Sequence, residues 1–356
     1  MTRAGSGYTE AMRAMVLERT AEIERGGEPL RLRERPEPEP GEGEVRLRVH
    51  VCAVCHTELD QIEGRVATEV PRVLGHQVIG TVDACASGAD ERLVGQRVGV
   101  GWIGSACGRC KWCRRGEENL CPDFRATGCH LDGGYAEYMT VSARFVHPVP
   151  DPLSDADAAP MLCAGAIGLR SLRLAGMKDG QILGLTGFGA SNHLVLSLAR
   201  ILYPESPVMV WARDAGQREQ ALELGARWAG DTHEAPPEAP DAIIDTTPVW
   251  TPVLAALDKL APGGRLVINA IAKESDDRDR LAGLDYERQL WREKEIKSVA
   301  NVTRRDIAEY LRIAVDNALV PQVRALPLEK ANEALRRIRF GGFRGAFVLE
   351  TGKAAE

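Results

Sequence analysis

The spacing of hydrophobic positions changes about midway along the chain. In residues 44–51, Val45, Leu47, Val49 and Val51 alternate with polar residues, the period of a strand buried on one face. Short apolar runs at 14–17, 30–32, 78–83, 97–100 and 136–141, separated by turns such as the Pro- and Glu-rich 36–43, extend this strand texture through the N-terminal half. From Asp155 the period changes. Residues 155–162 and 166–174 read as helices, and after them short, continuously apolar segments at 181–185, 208–211, 242–245 and 265–270 alternate with helices at 191–202, 217–224 and 250–260. Apolar strands alternating with helices predict a doubly wound parallel sheet. Helices at 304–317 and 328–339 and a strand at 346–348 end the pattern.

The chain has 356 residues, about two domains at roughly 150 residues each. Lys and Arg number 45 against 51 Asp and Glu, a formal charge of −6 with no basic block, which argues against a nucleic-acid partner. No uninterrupted apolar run reaches the roughly 18 residues of a membrane span, so none is expected. Residues 1–8 are small and polar, lack the apolar core of a signal peptide, and read as a tail; the expected location is cytoplasmic. With 36 Gly, 20 Pro and 5% aromatics, the composition favours strands, turns and Gly-lined nucleotide contacts.

Nine cysteines, an odd number, point to metal or reactive thiols rather than a disulfide framework. Four of them, Cys107, Cys110, Cys113 and Cys121, share one charged segment. Two-residue gaps let a tight turn aim successive sulfurs at one point, and four thiolates fill a tetrahedral Zn²⁺. No place is left for substrate, so this centre is expected to be structural. Gly108 permits the turn, and Arg109, Lys111 and Arg114 offset the negative charge.

A glycine-rich run, Gly184-Leu185-Thr186-Gly187-Phe188-Gly189, lies between the strand at 181–185 and the helix at 191–202. That is where a dinucleotide fingerprint must lie, with glycines admitting a pyrophosphate to the helix N-terminus. Aligned as G-x-G-x-x-G from Gly184, its middle glycine becomes Thr186, and Gly184, Gly187 and Gly189 are the candidate contacts. At the end of the second strand, an acid would bond ribose hydroxyls and an Arg would receive a 2′-phosphate. Ala212 holds the acid's position, Arg213 follows, and Arg218 lies one helical turn on, which favours NADP(H) over NAD(H). Asp214 leaves a ribose contact open.

These motifs, with Cys55-His56-Thr57, Gly75-His76, Gly134-Tyr135-Ala136-Glu137-Tyr138 and Cys163, resemble the zinc-dependent alcohol dehydrogenases of the medium-chain dehydrogenase/reductase family. The resemblance runs from about Met15 to Leu349, and the texture at 162–165 and 298–306 is similar to the bacterial zinc-binding subgroup. It implies a GroES-like β-rich catalytic domain over residues 1–163 with the zinc lobe at about 105–123, a Rossmann domain over 164–303, and a return to the catalytic domain over 304–356. It implies that Cys55, His76 and Cys163 bind a catalytic zinc, giving two Zn²⁺ per chain. That set leaves one tetrahedral position open for the oxygen of a small alcohol, aldehyde or ketone. Thr57 is then the hydroxyl that bonds the substrate oxygen, His56 a contact to the coenzyme pyrophosphate, and Glu58 an acid bonded to the histidine ligand, unless it is a solvated charge.

Two residues depart from the family pattern. Asp60 stands where a proton-relay histidine is usual, and Gln77 where an acid is usual. Trp102 and Ile103 resemble an apolar wall of the substrate pocket, with a core role equally open to Trp102. The expected activity is hydride transfer between a small alcohol or carbonyl and a nicotinamide coenzyme, in a homodimer or homotetramer. The alternatives are a zinc-independent enone or quinone reductase of the same superfamily and a non-enzymatic zinc- and nucleotide-binding protein.

Overall fold

The computed structural model describes residues 10–341 and 344–352; the tail at 1–8 lies outside them. The β-rich domain is built on the strand Glu44–Ala53, whose Val45, Leu47 and Val49 are buried while Arg48 is exposed, as the alternation requires. This strand pairs antiparallel with Val78–Cys85, with Tyr138–Ser142 and, at its far end, with the C-terminal strand Ala346–Glu350. The sheet continues through Arg97–Val100 to Val146–Pro148 on one side and through Val323–Pro327 on the other. A smaller sheet sets Ala11–Leu17 between Leu30–Pro36 and Arg72–Val73. The N-terminal half and the end of the chain thus share one core, in which Val45, Leu47, Tyr135 and Leu335 are all buried.

The second unit is a six-stranded, wholly parallel sheet. Its order is Trp228–Gly230, Val208–Trp211, Leu183–Thr186, Ala242–Asp245, Arg265–Ile268, Glu295–Ser298. Numbered along the chain this is 3-2-1-4-5-6, the Rossmann order, with the switch point between Leu183–Thr186 and Ala242–Asp245. Each of the three central strands is fully buried, which explains their unbroken apolar sequence. The outer strands Trp228–Gly230 and Glu295–Ser298, like Val323–Pro327 in the other sheet, are short or polar and give no hydropathy signal.

Between the domains, the expected helix at 155–162 is shorter and is continued differently. The helix Asp155–Pro160 passes into a π-turn at Met161–Gly165 before the helix Ala166–Ala175. The helix Arg304–Asp316 packs on both this turn and Ala166–Ala175, burying Ile307, Tyr310 and Leu311 in one cluster with the Rossmann core. Among the described residues no helix is long and apolar enough to cross a membrane.

Candidate active site and metal centres

Three separated segments bring Cys55, His76 and Cys163 together, with their ligand atoms all within 4.8 Å of one another. Cys55 caps the helix His56–Ile62, and Cys163 lies in the π-turn. His76 follows Gly75, whose φ of +95° and 2.4 Å approach of a built Cβ to Tyr135 Cδ1 admit only glycine. π-turns such as the one that carries Cys163 often mark functional positions.

Glu58 orders the group. It is fully buried, its Oε1 lies 2.6 Å from His76 Nδ1, and its Oε2 accepts from Cys55 N at 2.7 Å. With Nδ1 engaged, His76 Nε2 is left buried and without a hydrogen-bond partner. Burial opposes charge on His76, yet the carboxylate of Glu58 and the Cys55 sulfur push its pKa up to about 10. Bonding from Cys163 holds Cys55 well below the usual thiol range, against the effect of burial, and Cys163 is raised in exchange. An orphaned imidazole nitrogen and two converging sulfurs are the donor set of an open zinc site, so the residues fit that metal.

The lobe cysteines meet as the spacing predicts: Cys107, Cys110, Cys113 and Cys121 have sulfurs within 4.8 Å of one another. Cys107 Sγ is 3.9 Å from Cys113 Sγ and 3.6 Å from Cys121 Sγ. Those separations are too long for a disulfide and match the roughly 3.8 Å between sulfurs around a tetrahedral zinc. Backbone N–H groups of Arg109 and Cys110 lower the Cys107 pKa to about 6. The lobe is docked by Glu118, whose Oε1 accepts from Arg304 N at 2.8 Å, and by Asn119, which donates to Ala300 O at 2.8 Å.

Around the trio, Thr57 Oγ1 lies 3.7 Å from Cys55 Sγ. The His56 Nε2 atom is buried without a partner. Trp102 meets His76 edge-on, with ring centroids 5.1 Å apart, so its ring walls the site. Trp102 and Ile103 are both buried in the β-rich core, and Ile103 pairs with Ala126 in a strand. Asp60 is not a free carboxylate: Arg65 Nε donates to its Oδ1 at 2.7 Å. Burial still raises its pKa, with His56 and Arg65 pulling the other way. Gln77 is buried with an unpartnered Oε1.

The glycine loop requires one correction. Gly184 lies inside the strand Leu183–Thr186, where a Cβ would come within 2.8 Å of Ile243 Cγ1 and 3.0 Å of Trp211; it serves sheet packing and does not face the loop. The fingerprint is phased three residues later. Gly187 (φ +75°) makes the turn, Gly189 caps the helix Ala190–Leu202 with open space where a Cβ would be, and the third position is Asn192. Asn192 is fully buried and ties helix to strand by donating to Thr186 O at 3.1 Å and Gly187 O at 2.7 Å. The helix beginning at this loop packs against the turn that carries Cys163.

At the end of the second strand Ala212 is buried and Arg213 exposed, while Asp214 is occupied as a helix cap, accepting from Gln217 N at 2.9 Å. Arg218 Nη1 donates to Ala212 O at 2.7 Å and to Arg213 O at 2.8 Å, which fixes its guanidinium at the strand end. One buried network has no motif in the sequence. Asp245, fully buried at the switch point, accepts from Thr186 Oγ1 at 2.6 Å and Thr247 Oγ1 at 2.7 Å and pairs with Lys273 Nζ at 2.5 Å. An acid ending the apolar run 242–245 was its only sequence signal.

Fold and site define a GroES-like domain joined to a Rossmann domain, with two thiolate-rich candidate metal centres. The family model for the alcohol dehydrogenase GroES-like domain matches residues 41–151. The chain is 41% identical over 309 residues to the probable alcohol dehydrogenase AdhA of Mycobacterium tuberculosis, covering 85% of this chain and 87% of that one. It is 31% identical over 346 residues to an alcohol dehydrogenase of Geobacillus stearothermophilus, covering 93% and 99%. A solved cinnamyl alcohol dehydrogenase of Sorghum bicolor superposes with a TM-score of 0.82 at 25% identity, covering 98% of this chain and 100% of that chain. The chain belongs to the alcohol dehydrogenase family of the medium-chain dehydrogenase/reductase superfamily.

Proposed function

We propose that the chain is a zinc-dependent alcohol dehydrogenase or carbonyl reductase that moves hydride between a small alcohol, aldehyde or ketone and a nicotinamide coenzyme. The observation that carries this reading is the convergence of Cys55, His76 and Cys163 beside a dinucleotide-type loop. When bound, the metal supplies Lewis acidity toward a substrate oxygen and the coenzyme gives or receives the hydride.

The chain's own residues do the rest. Cys55, Cys163 and His76 would hold the metal, and Glu58 fixes the imidazole so that Nε2 offers its lone pair. The Thr57 hydroxyl bonds the substrate oxygen and takes up or returns its proton. Asp60, whose pKa burial raises, passes that proton onward, with Arg65 keeping the carboxylate in place. Trp102 packs on His76 and keeps water from that wall, favouring modest substrates. His56, Gly187 and Gly189 receive the pyrophosphate. The Arg213 and Arg218 side chains, with no acid at Ala212, favour the 2′-phosphate of NADP(H). Cys107, Cys110, Cys113 and Cys121 would hold a structural zinc.

None of the nine cysteines is paired in a disulfide, which suits a reducing, cytoplasmic setting. The exposed edge strand Glu295–Ser298, with Ile296 and Trp291 44% and 64% exposed nearby, supports assembly of copies through this edge, which sedimentation tests. The test of the whole reading is a kinetic screen of alcohols and carbonyls with NADPH and NADH, alongside elemental analysis. Two zinc per chain and reversible turnover are expected. Enone reduction without zinc, or zinc without turnover, would reject it.

A further inference from the structure

A run of alternating charges leads from the catalytic side to the Rossmann domain. It begins at Asp60, 3% exposed, held by Arg65 Nε at 2.7 Å. Arg65 Nη1 lies 2.5 Å from Glu63 Oε2, and Glu63 Oε1 lies 3.5 Å from Arg339 Nε. Arg339 Nη1 then donates to Glu274 Oε1 at 2.7 Å. The first four residues belong to the catalytic side: Asp60, Glu63 and Arg65 to the helix His56–Ile62 and the loop after it, and Arg339 to the helix Ala331–Phe340 packed against that helix. Glu274 belongs to the Rossmann domain, just beyond the strand Arg265–Ile268. Only the last link in the run joins the two domains.

Glu274 is firmly attached on its own side. Its N–H donates to Pro248 O at 2.7 Å, and its neighbour Lys273 contacts Asp245 Oδ2 at 2.5 Å and Thr247 O at 2.6 Å. Asp245 in turn holds Thr186, the residue before Gly187. Glu274 is thereby tied to both strand ends at the switch point, the crevice in which doubly wound sheets take their ligand. Within this run, rotating the Rossmann domain away from the catalytic side parts only Arg339 from Glu274; outside it, Arg344 also reaches Gly216 O, Glu219 and Glu223 at the helix Ala215–Glu223, at 3.2–3.7 Å. With Glu274 only 15% exposed and Arg339 31%, the pair is less screened than a surface pair.

We propose that Arg339 and Glu274 form a latch that holds the coenzyme cleft closed and must part before coenzyme leaves. The inference rests on the dehydrogenase reading only in naming the coenzyme as the occupant. Its test uses the full zinc-loaded chain with Arg339→Gln, Glu274→Gln and both together. In stopped-flow fluorescence, each single variant releases reduced coenzyme about fivefold faster than the parent, and the double variant no faster than either single. In the coenzyme-free chain, amide exchange over residues 186–189 and 245–249 rises in all three variants. It stays at the parent rate in Arg312→Gln, which removes only an exposed pair with Asp316 within one helix. Parent-like exchange and release in the variants, or additive effects in the double variant, would overturn the latch. Failure of the parent chain to bind either NADPH or NADH would defeat the dehydrogenase reading, and the exchange rates would still decide the latch.

Discussion

Replacing Glu58 by Gln tests the ordering of the trio by a single atom exchange. Both oxygens of this buried carboxylate are in use, one 2.6 Å from His76 Nδ1 and one accepting from Cys55 N at 2.7 Å. A glutamine amide keeps the volume and can keep the bond from Cys55 through its carbonyl. Its NH₂ then faces His76 Nδ1, so the imidazole must accept there and carry its proton on Nε2, the nitrogen left free for a metal. To ligate, His76 must give up that bond and the charge that favours its present tautomer. Losing a carboxylate partner of a metal-bound histidine weakens metal affinity about 10- to 100-fold, roughly 1.4–2.7 kcal/mol. The assay is chelator competition followed by elemental analysis, with thermal melting of the metal-free forms to separate folding from binding. The variant should lose one of its two zinc ions at a chelator concentration at which the parent keeps both. Equal retention, with equal melting, would refute the reasoning.

Other expectations follow from the same structure. Ala212→Asp puts an acid at the end of the strand Val208–Trp211 and should weaken NADPH relative to NADH by about tenfold, about 1.4 kcal/mol, in fluorescence titrations; an unchanged ratio would show that the strand end does not select the coenzyme. Gln77→Glu should leave zinc content at the parent value, since Gln77 lies outside the trio; loss of metal would show that its neutral amide is required. His147 gives a pH signature. Burial, reinforced by the charge of Arg304, pushes its pKa down to about 4 from 6.5. The folded state therefore binds fewer protons than the unfolded state between those values. Stability is complete above 6.5 and falls toward about 4, by about 3 kcal/mol in all. Urea midpoints from pH 7 to 4 should drop less steeply in His147→Gln than in the parent, and parallel curves would discard this assignment.

The two metal centres were unequally legible in the sequence. Cys107, Cys110, Cys113 and Cys121 come from one short segment, so spacing alone implies a shared ion. Cys55, His76 and Cys163 lie on three elements, and nothing local links them; the family resemblance joined them, and the fold brings their ligand atoms together. Gly184 was taken for a loop contact although it already fell inside the expected strand at 181–185, because the fingerprint spacing was counted from it. The ladder continues to Thr186 before the turn at Gly187, and buried Asn192 replaces the third glycine. The pairing of Asp60 with Arg65 was not legible, because Arg65 lies beyond the helix end. The Asp245–Lys273 pair joins residues 28 apart, a distance at which sequence pattern carries no information. Short polar strands such as Glu295–Ser298 were missed because an edge strand need not be apolar.

The most direct measurement is zinc content and hydride transfer in one preparation of Cys163→Ser, checked for folding by its thermal transition. The account predicts a folded protein that holds about one zinc per chain instead of two and no longer reduces aldehydes with NADPH. A folded variant that retains both ions and parental turnover would contradict it.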